Sequence, residues 1–285
     1  MVLGALLISL TLTTSPPTES EQQALQAAQS HFAAGRYVEA QKLLTAALEA
    51  APQDAAVNYW LARTYYEQHN YDKAVAYAED AVKLAPQNPE YQRWLGRVYG
   101  AKAEESRSFF LARKVKQAFE AAVRLAPRSI EARRDLMQYL AEAPWIVGGD
   151  KSKAREQVQA ISQIDPMEGR LAQAAFLCTQ KKWNEAQTEY LAVMDQQPLR
   201  IEPYMEAAEF FAGRKDPNNL DRVLAGAGRV NSHDPRLDFY RGVVLILRGT
   251  ERPTAEKLLT LYIANVPERS DYPSHNRAKQ WLDQK

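Results

Sequence analysis

Thiol chemistry is almost absent from this chain: Cys178 is its one cysteine. An intrachain disulfide is therefore impossible, and so is a zinc site built on several thiolates. Histidine is also scarce. His31, His69, His233 and His275 are the full set; no two stand at metal-ligand spacing and no HExxH helix occurs, so structural or solvated roles are expected for all four. The chain has no strong charge of either sign, with 36 basic against 35 acidic side chains and a formal net charge of +1. A neutral chain has no global field to draw it onto nucleic acid or an acidic membrane. Glycine numbers only twelve in 285 residues. None of it forms a GxSxG elbow, a phosphate-cradling loop or a dinucleotide fingerprint. No constellation able to run chemistry, hold a metal or bind a cofactor is visible, and Cys178, between Leu177 and Thr179, reads as a small buried hydrophobe.

Long apolar runs are missing too, with one short exception at the N-terminus. Val2 to Leu12 is apolar apart from Ser9 and Thr11, and Thr13 to Thr18 is rich in Thr, Ser and Pro. About 20 residues are needed to span a bilayer, whereas a signal-peptide core runs roughly 7–15. Residues 1–18 are therefore expected to be a signal peptide or apolar anchor, although no Lys or Arg precedes the run. Residues 19–285 are expected to form a single domain without a membrane span. A periplasmic or exported location follows from this reading; a cytoplasmic or inner-membrane-anchored one is the alternative.

What the chain has in abundance is helix-forming residues in a repeated phase. Ala28, Ala40, Leu44, Ala47 and Pro52 recur 34 residues later as Ala62, Ala74, Ala78, Ala81 and Pro86. The same internal spacing returns at Ala174, Ala186, Tyr190, Val193 and Pro198, and at Val243, Ala255, Leu259, Tyr262 and Pro267. Three further copies start at Gly96, Met137 and Ala208 and carry extra residues between their halves. Small residues mark places where two helices cross closely, larger ones fill the space beside them, and the closing Pro ends each unit. A lone helix pair cannot bury its apolar stripe, so the units must stack. Ser274 is placed to cap a final helix running to about Gln284.

The pattern resembles the tetratricopeptide repeat over roughly residues 20–267. The motif stands here as Trp60-Leu61-Ala62 with Tyr65, Asn70-Tyr71 and Ala74, then Trp94-Leu95-Gly96 with Tyr99, and Trp183 with Ala186. The resemblance implies an all-α, right-handed solenoid of about seven helix pairs with a C-terminal capping helix. It implies a non-catalytic scaffold or adaptor that binds a peptide or protein in its concave groove, in the bacterial envelope if the chain is exported. An accessory or regulatory subunit of an envelope enzyme complex, or a carbohydrate- or lipid-handling solenoid, are the alternatives.

In such solenoids the first helix of each unit lines the groove. The register then aims Tyr59, Arg63, Tyr66, Arg93, Arg97, Arg134 and Gln138 inward. One reading is a basic strip for an acidic or C-terminal peptide, since Arg matches carboxylates bidentately. The other is Arg already paired with neighbours such as Glu67, Glu90 and Glu131. Where a carboxylate-clamping groove would carry Asn, this chain has Gln29 and Arg63. The loop Pro144 to Asp150 reads in two ways as well. Gly148 and Gly149 permit a sharp reversal, Asp150 caps the next helix and Trp145, Ile146 and Val147 tuck onto the solenoid; or these three form a docking knob. The extra residues from Lys102 to Lys114, among them Phe109, Phe110 and Leu111, are expected to lengthen both helices of the third unit into a solvent-facing hairpin.

Overall fold

The computed structural model describes residues 19–284. The expected signal or anchor segment, residues 1–18, lies outside them. Every regular element among the described residues is helical. Seven antiparallel pairs follow in order: α1 (Glu19–Ala33) with α2 (Tyr37–Ala50), α3 (Ala55–Glu67) with α4 (Tyr71–Leu84), and α5 (Pro89–Ser106) with α6 (Phe109–Leu125). Then come α7 (Ile130–Glu142) with α8 (Lys151–Ile164), α9 (Pro166–Thr179) with α10 (Trp183–Met194), α11 (Glu202–Gly213) with α12 (Pro217–Val230), and α13 (Arg236–Arg248) with α14 (Arg252–Asn265). The cap, α15 (His275–Leu282), closes the stack, with the Ser274 side chain accepting from the Arg277 amide.

Local chemistry sets these boundaries. Asp54, Asn70, Asn88, Ser108, Ser129, Asp150 and Asp165 each accept an amide hydrogen bond at a helix start, satisfying donors the helix leaves orphaned. Pro52, Pro86 and Pro127 stand one residue beyond the C-caps Ala51, Ala85 and Ala126. Asp165 ends α8 and caps α9 at once, with Pro166 in the first helical position, where its missing N–H costs nothing. The phased small residues Ala40, Ala74, Ala154, Ala186 and Ala255 are all fully buried. Gly96 shows why the phase needs small side chains: a Cβ there would lie 2.4 Å from the Phe119 ring. The extra residues of the third unit do lengthen its helices, to 18 residues in α5 and 17 in α6.

The apolar core forms two stretches, one from α1 to α9 and one from α9 to the cap, meeting within α9. The two ends of the solenoid touch. The segment from Val266 to Ser274 reaches back to the first repeats: the Tyr37 hydroxyl donates to the Glu268 carbonyl at 3.2 Å and Arg269 donates to the Ala33 carbonyl at 3.1 Å. The Ser270 amide and hydroxyl donate to the Glu67 carboxylate at 2.9 and 2.6 Å. This strap closes the superhelix around its interior.

Candidate binding groove

The odd-numbered helices line the inside of the curve, and the residues expected there divide into three environments. Tyr59 is buried, stacks on Tyr91 with centroids 4.8 Å apart and donates to Glu90 at 3.1 Å; burial pushes its phenol well up. Arg63 lies among aromatic faces, its guanidinium carbon 4.3 Å from the Trp60 ring centre, 4.6 Å from Trp94 and 4.8 Å from Phe32. Such stacking favours a cation through the ring quadrupole. Tyr66 meets Trp94 and Tyr71 edge-on, each at 5.7 Å.

The remaining arginines each grip a neighbouring repeat. Arg93 bonds Glu90 through two nitrogens at 2.9 Å and reaches Asp135 at 3.4 Å. Arg97 forks onto both oxygens of Asp135 at 2.9 Å. Arg134 bonds Glu206 at 2.6 Å and Glu168 at 3.4 Å, and Arg200 also bonds Glu168. Burial pushes the Glu206 carboxyl up against the pull of Arg134. Burial works the same way on Glu90, where hydrogen bonds and charge from Arg93 prevail and hold it low. Arg93, Arg97 and Arg134 therefore offer no free guanidinium forks, because tertiary pairing occupies them. Of the partners named from sequence, Glu90 pairs as expected, whereas Glu67 receives Ser270 and Glu131 receives Ser129. Gln138 donates to Glu142 at 3.4 Å.

Asp135 and Glu206, which complete these pairs, escape a search by residue type alone. The repeat phase contains a signal for them. Counting from Ala62, Gly96, Met137 and Ala208, they occupy the place held by Trp60 and Trp94 in the second and third units. An acid where the motif has an aromatic marks a unit that receives an arginine from an earlier one: Asp135 from the unit before it, Glu206 from two units back.

A cleft of about 510 Å³ opens at the C-terminal ends of α3, α5 and α7. Tyr66, Tyr71, Tyr139 and Phe119 form its walls, Gly96, Gly100 and Ala101 its floor, and Arg97, Glu104, Glu105, Asp135 and Glu142 its charge. A Cβ on Gly100 would meet nothing within 4 Å, so the floor there is open. Arg97 is matched by Asp135, and Glu105 by Lys102 at 2.8 Å. Glu104 and Glu142 have no cationic partner among the described residues. Tyr71 registers this field: burial pushes its phenol up, and Glu105, Glu104 and Glu67 push it further.

Cys178 is half-buried and lines a neighbouring cavity of about 520 Å³ with Arg134, Met137, Gln138 and Glu142; burial raises its thiol. Among the described residues no three His, Cys, Asp or Glu side chains form a metal-binding group. In the loop after α7, Val147 tucks in as one reading predicts, but Trp145 and Ile146 point to solvent. Gly148 takes φ +102 and Gly149 lies against the Ala143 carbonyl, where a Cβ would clash at 1.8 Å. Asp150 accepts from the Ser152 and Lys153 amides.

Paired helices, small-residue crossings and a concave inner face are now all in view. Residues 31–98 match the tetratricopeptide repeat family. Solved structures extend the likeness in fold along the chain. A tetratricopeptide repeat protein from Parabacteroides merdae superposes with a TM-score of 0.58 at 13% identity, covering 94% of this chain and 99% of that one. A thermophilic tetratricopeptide repeat protein from Thermus thermophilus gives 0.53 at 22% identity, covering 73% and 97%. PilF of Pseudomonas aeruginosa gives 0.50 at 15%, covering 76% and 94%. No curated protein sequence matches the chain significantly. Tetratricopeptide repeat proteins generally mediate protein–protein interaction.

Proposed function

We propose that the chain is a non-catalytic adaptor that holds an extended peptide segment of a partner protein in its concave groove, and that this segment is basic. The observation that carries the reading is the cleft between α3, α5 and α7. Three tyrosines and a phenylalanine give it flat contact area at low entropy cost, while Glu104 and Glu142 leave it with uncompensated negative charge. The C-terminal ends of α5 and α7 add the negative pole of their dipoles. A Lys or Arg side chain entering beside Gly100 meets aromatic faces and a carboxylate together. An acidic segment, expected from the arginine strip, would have to displace Glu90, Asp135, Glu168 and Glu206 from guanidiniums they already occupy. The apolar run over residues 2–12 supports placing this adaptor in the bacterial envelope.

The test is selection of displayed peptides on the immobilised protein, followed by affinity measurement on a variant with a filled floor. Gly100→Leu projects into open space on an α-helix, so it should fold at least as well as the parent. Selected peptides should be rich in Lys and Arg, lose at least about tenfold in affinity on Gly100→Leu, and weaken with salt as exposed charge pairs do. Peptides that bind Gly100→Leu as tightly as the parent would exclude the cleft as the binding site.

A further inference from the structure

Four large apolar side chains stand in solvent along one edge of the solenoid. Phe109 and Phe110, at the start of α6, are 68% and 69% exposed, and Trp145 and Ile146, in the turn after α7, are 85% and 50% exposed. The two segments are tied together. The Tyr139 hydroxyl bridges the Val147 and Ala112 carbonyls at 2.8 and 2.5 Å, and Arg113 donates to the Ile146 carbonyl at 3.4 Å. Phe109 lies one turn before Arg113 on the same helix face, so Phe109 and the Trp145 turn belong to one patch; Phe110, next to it in sequence, carries the Lys114 ammonium 5.2 Å over its ring. Contiguous exposed apolar surface of this kind marks an interaction site.

Its surroundings are basic. Arg107, Arg113, Lys151 and Lys153 are exposed and pair with no carboxylate among the described residues. Lys114 and Lys116 stand beside them, matched to Glu79 at 3.3 Å and Glu120 at 3.8 Å. The nearby acids are committed or turned elsewhere: Asp150 caps α8, and Glu104, Glu105 and Glu142 line the concave cleft. The recess of about 370 Å³ beside Trp145 has a polar wall of Arg113, Lys116, Gln117 and Glu120 opposite an apolar one of Trp145, Ile146, Val147 and Gly148. Protein interfaces concentrate affinity where an anchor fills a packed pocket. Here the anchors themselves protrude, ringed by cations, which is the arrangement that suits a bilayer boundary: aromatic rings settle at headgroup depth and each Lys or Arg gains from anionic lipid.

We propose that this edge docks the solenoid onto an anionic membrane surface, with Phe109, Phe110, Trp145 and Ile146 entering the headgroup boundary and Arg107, Arg113, Lys151 and Lys153 facing lipid phosphates. The reading is independent of the peptide cleft and leaves that groove free.

Cosedimentation of the full chain with vesicles tests it, comparing phosphatidylcholine alone with phosphatidylcholine carrying about 30% phosphatidylglycerol. The parent should partition at least about tenfold more strongly onto the anionic vesicles. The combined Phe109→Ser, Phe110→Ser and Trp145→Ser variant should lose at least about tenfold of that binding. Its helical circular dichroism should be unchanged, since all three side chains are exposed, and so should its affinity for cleft peptides. A second variant carrying Gln at Arg107, Arg113, Lys151 and Lys153 should bind both vesicles equally weakly. Equal sedimentation of the parent and the triple-Ser variant would overturn the proposal and assign any binding to another part of the chain. Binding to polyglutamate but to neither vesicle would overturn it in favour of an acidic protein partner.

Discussion

Arg63 and Arg97 occupy the same place in consecutive repeats and meet different partners. Arg63 is held between Trp60 of its own unit and Trp94 of the next. Arg97 lies 5.3 Å over Trp94 of its own unit, but its next-unit neighbour is Asp135 in place of a Trp. Asp135→Ala removes both arms of the Arg97 fork and the longer bond from Arg93. A buried pair broken on one side costs about 3–5 kcal/mol. Here the Arg97 side chain is 40% exposed and can rehydrate, and Arg93 keeps Glu90. The expected cost is therefore nearer 2 kcal/mol, the scale of charge-assisted hydrogen bonds. Asp135→Trp should be milder, because it rebuilds around Arg97 the aromatic cage that surrounds Arg63. With a cation–π contribution of about 0.5–2 kcal/mol, roughly 1 kcal/mol of the loss should return. Urea unfolding followed by circular dichroism measures both variants, and repeating it in high salt separates the terms. The parent should lose its advantage over Asp135→Trp as salt screens the ion pair. A neutral Asp135→Ala, or an Asp135→Trp less stable than the Ala variant, would refute the equivalence of the two arginine sites.

Two glycines on α5 should respond with opposite signs. Gly96→Ala forces its Cβ against the Phe119 ring and should destabilise by about 1–3 kcal/mol, whereas Gly100→Ala, which meets nothing, should stabilise by about 0.5–1 kcal/mol through helix propensity; thermal melts of the pair decide it. The strap that joins the ends should be separable from stability. Glu67→Ala with Tyr37→Phe removes exposed hydrogen bonds to Ser270 and Glu268, so unfolding should shift by less than about 0.5 kcal/mol per site. Small-angle scattering should nevertheless report a wider particle, and an unchanged radius of gyration would show that the curvature of the repeats alone holds the ring shut.

Much of this architecture can be read from local rules. The phase of Ala28, Ala62, Gly96, Ala174 and Ala208 counts the repeats because a helix crossing favours small side chains there, with Met137 and Val243 the larger exceptions. Capping residues such as Asn70, Asn88 and Ser274 act on amides two or three positions away, and Pro acts on its immediate neighbours, so boundaries also follow from short stretches. The identity of residues lining the groove follows from the same phase. Their chemical state does not. Whether Arg97 is free depends on Asp135, 38 residues on, and whether Arg134 is free depends on Glu206, 72 residues on. Those separations become contacts only once the rise and rotation of every intervening repeat are set. The same holds for the Ser270–Glu67 closure across 203 residues. The turn at Trp145 shows the division within seven residues. Gly148, Gly149 and Asp150 carry their backbone roles in their own geometry. By contrast, Val147 is buried while Trp145 and Ile146 are left outside, and that was settled by the position of α6, against which the turn packs.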